Sequence, residues 1–310
     1  MPSKNESKDT ARLRKAILLS PSYCRAYEDI DFLKSSQARE LRLLAEYAKP
    51  EAAMRREKIL STVIVFGSAR ILPPDVAEER LKKAERALKT DPSSERKQRE
   101  AAAARTAVKM SPYYEHARRF AEIISKSYQI VGSEENAAEL QRYHVVCTGG
   151  GPGIMEAANR GAYDAGRKSI GLNITLPYEQ VPNPYITPEL CFQFHYFSIR
   201  KLHFLLRASA LVAFPGGFGT FDELFEGLTL LQTGKMQKIP IVLFGEEFWR
   251  KCVNFDFLVE TGVISPGDLD LFYFVDTPEK AIEAIIGYYQ QRILSDLGDA
   301  EKSSGASSKK

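Results

Sequence analysis

The apolar run Ala210-Leu-Val-Ala-Phe214 breaks directly into Pro215-Gly-Gly-Phe-Gly-Thr-Phe-Asp-Glu223, and this junction most narrows what the chain can fold into. A short apolar run bounded by proline and glycine predicts a buried strand, and the segment after the glycines predicts a helix. A strand that turns tightly into a helix leaves unpaired backbone N–H groups at the positive end of the helix dipole, an arrangement suited to an anion such as phosphate. Gly216, Gly217 and Gly219 let the backbone approach the anion without a Cβ in the way, Phe218 lies among them, and Thr220 adds a hydroxyl donor. Glu223 then falls about one helical turn further in. It is either an acidic partner of the helix dipole or a group with chemistry to do, and position alone does not separate the two.

A second cluster, Gly149-Gly-Gly-Pro-Gly-Ile-Met155, follows the strand-like Tyr143-His-Val-Val-Cys-Thr148, and Gly150 and Gly151 become candidate binding positions. A third turn, Phe66-Gly67-Ser68-Ala69-Arg70, follows Thr62-Val-Ile-Val65 and adds Ser68 to the candidates. Repeated strand–turn–helix units predict an α/β fold, a doubly wound, Rossmann-like parallel sheet whose ligand lies beyond the carboxyl ends of the strands. Ser111-Pro112 is read as an N-cap followed by proline at the first helical position, opening a helix through about Tyr128; further strands are predicted near 169–175, 190–196, 239–244 and 271–275, and helices near 154–166, 198–208, 219–232, 246–261 and 278–292. No Gly-Lys-Ser or Gly-Lys-Thr follows either glycine cluster, which excludes a Walker A loop. The dinucleotide fingerprint fails on glycine spacing and on the missing acidic residue after the following strand.

Around this domain, assigned to 59–293, the composition changes. Residues 1–58 carry apolar positions at helical spacing and predict a helical extension with a frayed start, while 294–310, ending Ser-Ser-Lys-Lys, predict a disordered tail. Residues 74–110 are rich in Glu, Lys, Arg and Ala and predict a charged helical pair inserted after the first strand. Acidic residues alternate with basic ones there, favouring a solvated surface over a nucleic-acid contact. With 43 basic against 40 acidic residues, the net charge of +3 gives no general argument for nucleic acid. Cys24, Cys147, Cys191 and Cys252 are widely spaced, so neither a disulfide framework nor a zinc site is expected. No signal peptide or membrane span is read, and a cytoplasmic enzyme without metal or cofactor is the expectation.

The pattern Pro-Gly-Gly-x-Gly-Thr-x-x-Glu at 215–223, the glycine cluster at 149–155 and the pair Arg200-Lys201 together resemble the Lonely Guy family of nucleoside 5′-monophosphate phosphoribohydrolases, long labelled lysine decarboxylases. The similarity runs over roughly 60–290 and is to the longer bacterial branch. Gly153 and Met155 stand one position closer to the triplet than in short members, and Phe197-Ser198-Ile199 replaces their Met-His. Short members also lack the 74–110 insertion. The resemblance implies catalytic roles for Arg200 and Glu223, a nucleoside 5′-monophosphate as substrate, and a homo-oligomer, a dimer or larger. It aligns Glu179 with a glutamate near the sugar or base. The decarboxylase label finds no lysine in a Schiff-base context.

Ribosyl N-glycosidic cleavage develops positive charge at the anomeric carbon and calls for a carboxylate beside it, which Glu223 supplies. Arg200 either orients Glu223 or holds the phosphate in a bidentate fork, and Lys201 adds charge to binding. Asp222 points about 100° away from Glu223, toward solvent or the ribose hydroxyls. Glu226 and Thr229 complete the pocket or pack at its edge. His195, His203, His116 and His144 show no metal-ligand spacing and are assigned to packing. The leading expectation is hydrolysis of AMP or an N6-modified AMP, a cytokinin riboside 5′-monophosphate, to free base and ribose 5-phosphate. The alternatives are a broader purine or pyrimidine nucleotide nucleosidase, or a non-catalytic nucleotide-binding or cofactor-carrier protein of the same fold.

Overall fold

The computed structural model describes residues 7–131, 140–176 and 181–307, the last of these as backbone from 293 onward. It divides into two compact units, Met1–Lys49 and Pro50–Lys310. The first holds α1 (Lys8–Leu18), α2 (Ile30–Lys34) and the start of α3 (Arg39–Arg56). The Ser7 side chain caps α1 by accepting from the Thr10 N–H, and Asp29 caps α2 by accepting from Phe32.

In chain order the second unit continues with β1 (Thr62–Phe66), α4 (Pro74–Thr90), α5 (Glu95–Met110), α6 (Pro112–Tyr128), β2 (Ile130–Val131), β3 (Gln141–Arg142), β4 (Val145–Thr148), α7 (Ile154–Asp164), β5 (Ser169–Ile174) and β6 (Cys191–Phe194). After these come α8 (Phe197–Leu205), β7 (Ala208–Ala213), α9 (Phe218–Gln232), β8 (Ile241–Phe244), α10 (Glu246–Cys252), α11 (Phe255–Glu260), β9 (Phe272–Val275) and α12 (Pro278–Ser307). Among the described residues, seven strands form one sheet in the order β6-β5-β4-β1-β7-β8-β9, every pair parallel.

From β1 the chain builds outward through β4, β5 and β6, then returns to the other side of β1 for β7, β8 and β9. The reversal at β1 is the topological switch point, where crossovers leave a crevice at the carboxyl ends of the strands. The turns after β1, β4 and β7 all open there.

Alternation along the strands supplies both faces with core. In β1, Ile64 and Phe66 enter one buried cluster with Phe204, Leu224 and Trp249, while Val63 and Val65 enter the other with Phe120, Ile154 and Phe214. Near-continuous apolar strands are what a sheet covered on both sides requires. Trp249 Nε1 donates to the carbonyls of Ala213 and Phe244, both at 3.1 Å, fixing α10 beside the ends of β7 and β8.

The inserted pair is α4 and α5, which bury Ala77, Ala101 and Ala104 and are bridged at the surface by Arg105 and Glu85, 3.3 Å apart. Four details differ from the sequence reading. Ser111 does not cap α6, because its backbone is already helical and its hydroxyl donates to the Val108 carbonyl at 2.8 Å. The helix expected over 246–261 is two, since Asn254 turns the chain and its side chain caps α11 by accepting from Phe257. The small antiparallel pair β2–β3 was not foreseen. Helix α12 continues to Ser307, past the boundary at 293, because Leu294-Ser-Asp-Leu-Gly-Asp-Ala-Glu-Lys302 contains no proline to stop it.

Candidate active site

Three turns are tied together by their own backbones. Ser68 N–H donates to the Pro215 carbonyl at 3.0 Å, and the Ser68 carbonyl accepts from Ile154 N–H at 3.1 Å. Ser68 therefore joins the turns after β1, β4 and β7, while its hydroxyl accepts from Arg70 N–H at 3.1 Å. Close approach needs glycine here. A Cβ on Gly67 would meet Ile154 at 2.6 Å, and one on Gly153 would meet the Ser68 carbonyl at 2.4 Å.

The turn after β7 carries α9. Phe221 N–H donates to the Gly217 carbonyl at 3.1 Å, opening the helix. Among the described residues, the N–H groups of Gly216, Gly217, Phe218, Gly219 and Thr220 meet no acceptor, the donor set expected at a helix start. Thr220 is buried and packs under Gly216, where a Cβ would stand 2.2 Å from its hydroxyl. Gly217 has φ −99 and open space where a Cβ would stand, so the fold does not itself demand glycine there. Phe218 stands 97% exposed at the tip.

The turn after β4 is held from beneath. Gly150 has φ +72, with the Asn173 amide 2.4 Å from where its Cβ would be, so glycine is required on both grounds. Its N–H donates to Thr148 Oγ1 at 3.0 Å and is not available to a ligand. Thr148, Asn159 and Asn183 form a buried hydrogen-bonded group with this turn, and sequence reasoning missed all three as site-forming residues. The only cues were a threonine before the glycines and an asparagine between two prolines, Pro182-Asn183-Pro184.

Arg200 on α8 and Glu223 on α9 come together at this crevice. Arg200 Nη2 lies 3.7 Å from Glu223 Oε1, with side-chain exposures of 11% and 14%. Arg200 Nε donates to the Leu172 carbonyl at 2.8 Å, its guanidinium lies 5.2 Å from the Phe204 ring centre, and a Cβ on Gly149 would stand 2.6 Å from Nη2. The arginine is thus fixed on several sides. Burial pushes the Glu223 carboxyl up to about 7; Arg200 opposes the rise and the Asp222 charge adds to it. Burial lowers the Arg200 guanidinium against the pull of Glu223. Beneath them burial also pushes the Cys147 thiol up, which leaves it a core residue.

Lys201 faces the other side of α9. Its ammonium is 2.7 Å from Asp222 and 3.4 Å from Glu226. Burial pulls this ammonium down, but the hydrogen bond to Asp222 and the charge of Glu226 carry it above its ordinary value. Lys201, Asp222, Phe225, Glu226, Thr229 and Leu230 line an open groove of about 380 Å³. Thr229 is exposed and donates to the Phe225 carbonyl at 2.7 Å. Glu179 lies outside the described residues. Among the described residues no three His, Cys, Asp or Glu side chains come together as metal ligands, and no helix is long and apolar enough to cross a membrane.

The family model for "possible lysine decarboxylase" matches residues 155–285. The chain is similar to the probable cytokinin riboside 5′-monophosphate phosphoribohydrolase LOGL3 of Oryza sativa subsp. japonica, at 28% identity over 49% of this chain and 74% of that protein. It is also similar to the cytokinin riboside 5′-monophosphate phosphoribohydrolase LOG3 of Arabidopsis thaliana, at 27% identity over 46% of this chain and 67% of that protein. Among solved structures, the molybdenum cofactor carrier protein from Chlamydomonas reinhardtii matches at 18% identity, covering 73% of this chain and 97% of its own, with a TM-score of 0.38.

Proposed function

Because the chain belongs to the family that this model and these phosphoribohydrolases define, we propose that it hydrolyses the N-glycosidic bond of a nucleoside 5′-monophosphate, AMP or an N6-modified AMP, to free base and ribose 5-phosphate. The observation that carries this reading is Glu223, a largely covered carboxylate one turn inside the helix whose start offers the unpaired N–H groups, with Arg200 3.7 Å away.

The donors at the start of α9 receive the phosphate, which anchors the ribose and brings its anomeric carbon toward Glu223. As the bond from the anomeric carbon to the base nitrogen breaks, its electron pair leaves with the base, which takes up a proton from solvent, and positive charge grows on the sugar. Ionised Glu223 stabilises that charge and accepts a proton from the water whose oxygen attacks the anomeric carbon. Arg200 keeps this carboxylate in position: its Nε is committed to the Leu172 carbonyl, and its Nη2 lies 3.7 Å from Glu223 Oε1. Lys201, engaged by Asp222 and Glu226, sets the charge of the neighbouring groove and is not a lone phosphate clamp.

The test is incubation of the purified chain with AMP and with isopentenyl-AMP, followed by chromatography for free base. Release of adenine or its N6-modified form supports the reading. Tight nucleotide binding without release supports a carrier instead.

A further inference from the structure

We propose that Asn183 is a positioning residue for the glycine turn after β4, and that the Gly151 N–H whose direction it sets donates to an oxygen of the ribose 5-phosphate; this rests on the nucleotide reading above. The turn offers few donors. The Gly150 N–H is taken by Thr148 Oγ1, the Ile154 N–H by the Ser68 carbonyl, and Pro152 has none. That leaves the N–H groups of Gly149, Gly151 and Gly153, and among the described residues the Gly151 N–H meets no acceptor.

Its direction follows from the peptide plane. The Gly150 carbonyl accepts from Asn183 N–H at 2.9 Å, and in a trans peptide the next N–H points the opposite way, so Gly151 N–H faces away from buried Asn183. The Asn183 side chain holds the next peptide too, Nδ2 donating to the Gly151 carbonyl at 3.1 Å and to Asn159 Oδ1 at 3.0 Å. Oδ1 accepts from Tyr185 N–H at 3.2 Å. Asn159 is itself held, accepting from Thr148 Oγ1 at 2.7 Å and donating to Ser169 Oγ at 3.0 Å. Anchored to Gly151, Asn159 and Tyr185, the Asn183 side chain holds its own backbone N–H against the Gly150 carbonyl, and that bond orients the plane between Gly150 and Gly151. Gly149, one residue before, abuts Arg200 Nη2, so the turn borders the Arg200–Glu223 pair.

Asn183→Asp keeps the acceptor for Tyr185 but sets an oxygen against two acceptors, and Asn183→Ala removes both functions. Kinetics on AMP, adenine inhibition constants and melting temperatures are measured for both variants and the wild type. The expected result is a KM for AMP raised about tenfold, the loss expected for one hydrogen bond to a charged group. kcat should stay within threefold and inhibition by adenine should be unchanged, which general loosening of the fold would not produce. Should both variants fail to fold, wild-type protein labelled with ¹⁵N-glycine and titrated with ribose 5-phosphate decides: a shifted, exchange-protected Gly151 amide supports the proposal and an unperturbed one overturns it. Unchanged KM for AMP in folded variants of an active enzyme overturns this proposal alone. A wild type that neither binds nor cleaves AMP overturns the proposed function and this inference with it.

Discussion

Glu223 carries a cost that its position explains. Its carboxyl is raised from 4.5 to about 7 by burial, so holding it ionised in the folded chain costs roughly 3 kcal/mol. Between those two values the folded protein binds more protons than the unfolded one, and stability falls as pH rises through that window. Glu223→Gln removes the titration. Its melting temperature should therefore gain on the wild type between pH 5 and pH 8, and calorimetry at the two values measures the gain; parallel behaviour of the two proteins would place the carboxylate in a wetter setting. Turnover, which needs the ionised form, should rise with pH through about 7 in a wild-type rate profile. Arg200 makes a second residue-scale case. Lysine has the charge but not the planar fork that reaches the Leu172 carbonyl and Glu223 together, so Arg200→Lys should lose at least tenfold in kcat, nearly as much as Arg200→Ala. A lysine variant with near-normal turnover would remove the orienting role.

At the scale of elements, the two glycine turns differ in what they demand. Gly150→Ala places a Cβ against the Asn173 amide at positive φ, and should lower the melting temperature along with activity. Gly217→Ala meets open space at ordinary φ, so its melting temperature should stay within a degree or two while KM for the nucleotide rises. Equal destabilisation by both would contradict this account of the turns. The alternation of apolar runs and glycine turns made strands and helices readable in the sequence, since periodicity and turn chemistry are local. The partners of the turn after β4 were not readable: Asn159 and Asn183 stand 24 residues apart and meet only once β5 is placed beside β4. The cap reading at Ser111 failed for a related reason, because α5 ends directly against α6 and leaves no extended residue to cap.

For the whole molecule, sheet order explains why Arg200 and Glu223, 23 residues apart in sequence, face one crevice. Helix α8 returns the chain from β6 across β1 to β7, and α9 leaves β7 at the switch point, so both helices contribute at the carboxyl edge. The motif at 215–223 pointed to Glu223 and the fold brings Arg200 to it, but the burial that raises its carboxyl depends on the packed sheet and not on neighbouring residues. The groove beside it, with Lys201 held between Asp222 and Glu226, likewise exists only once α8 and α9 lie side by side. Whether this crevice cleaves nucleotides is decided by single-turnover release of adenine from AMP by wild type and Glu223→Gln. The wild type should release adenine, and the variant should do so at a rate lowered roughly 10²–10⁴-fold with AMP still bound. Release by the variant within threefold of the wild type would contradict that expectation.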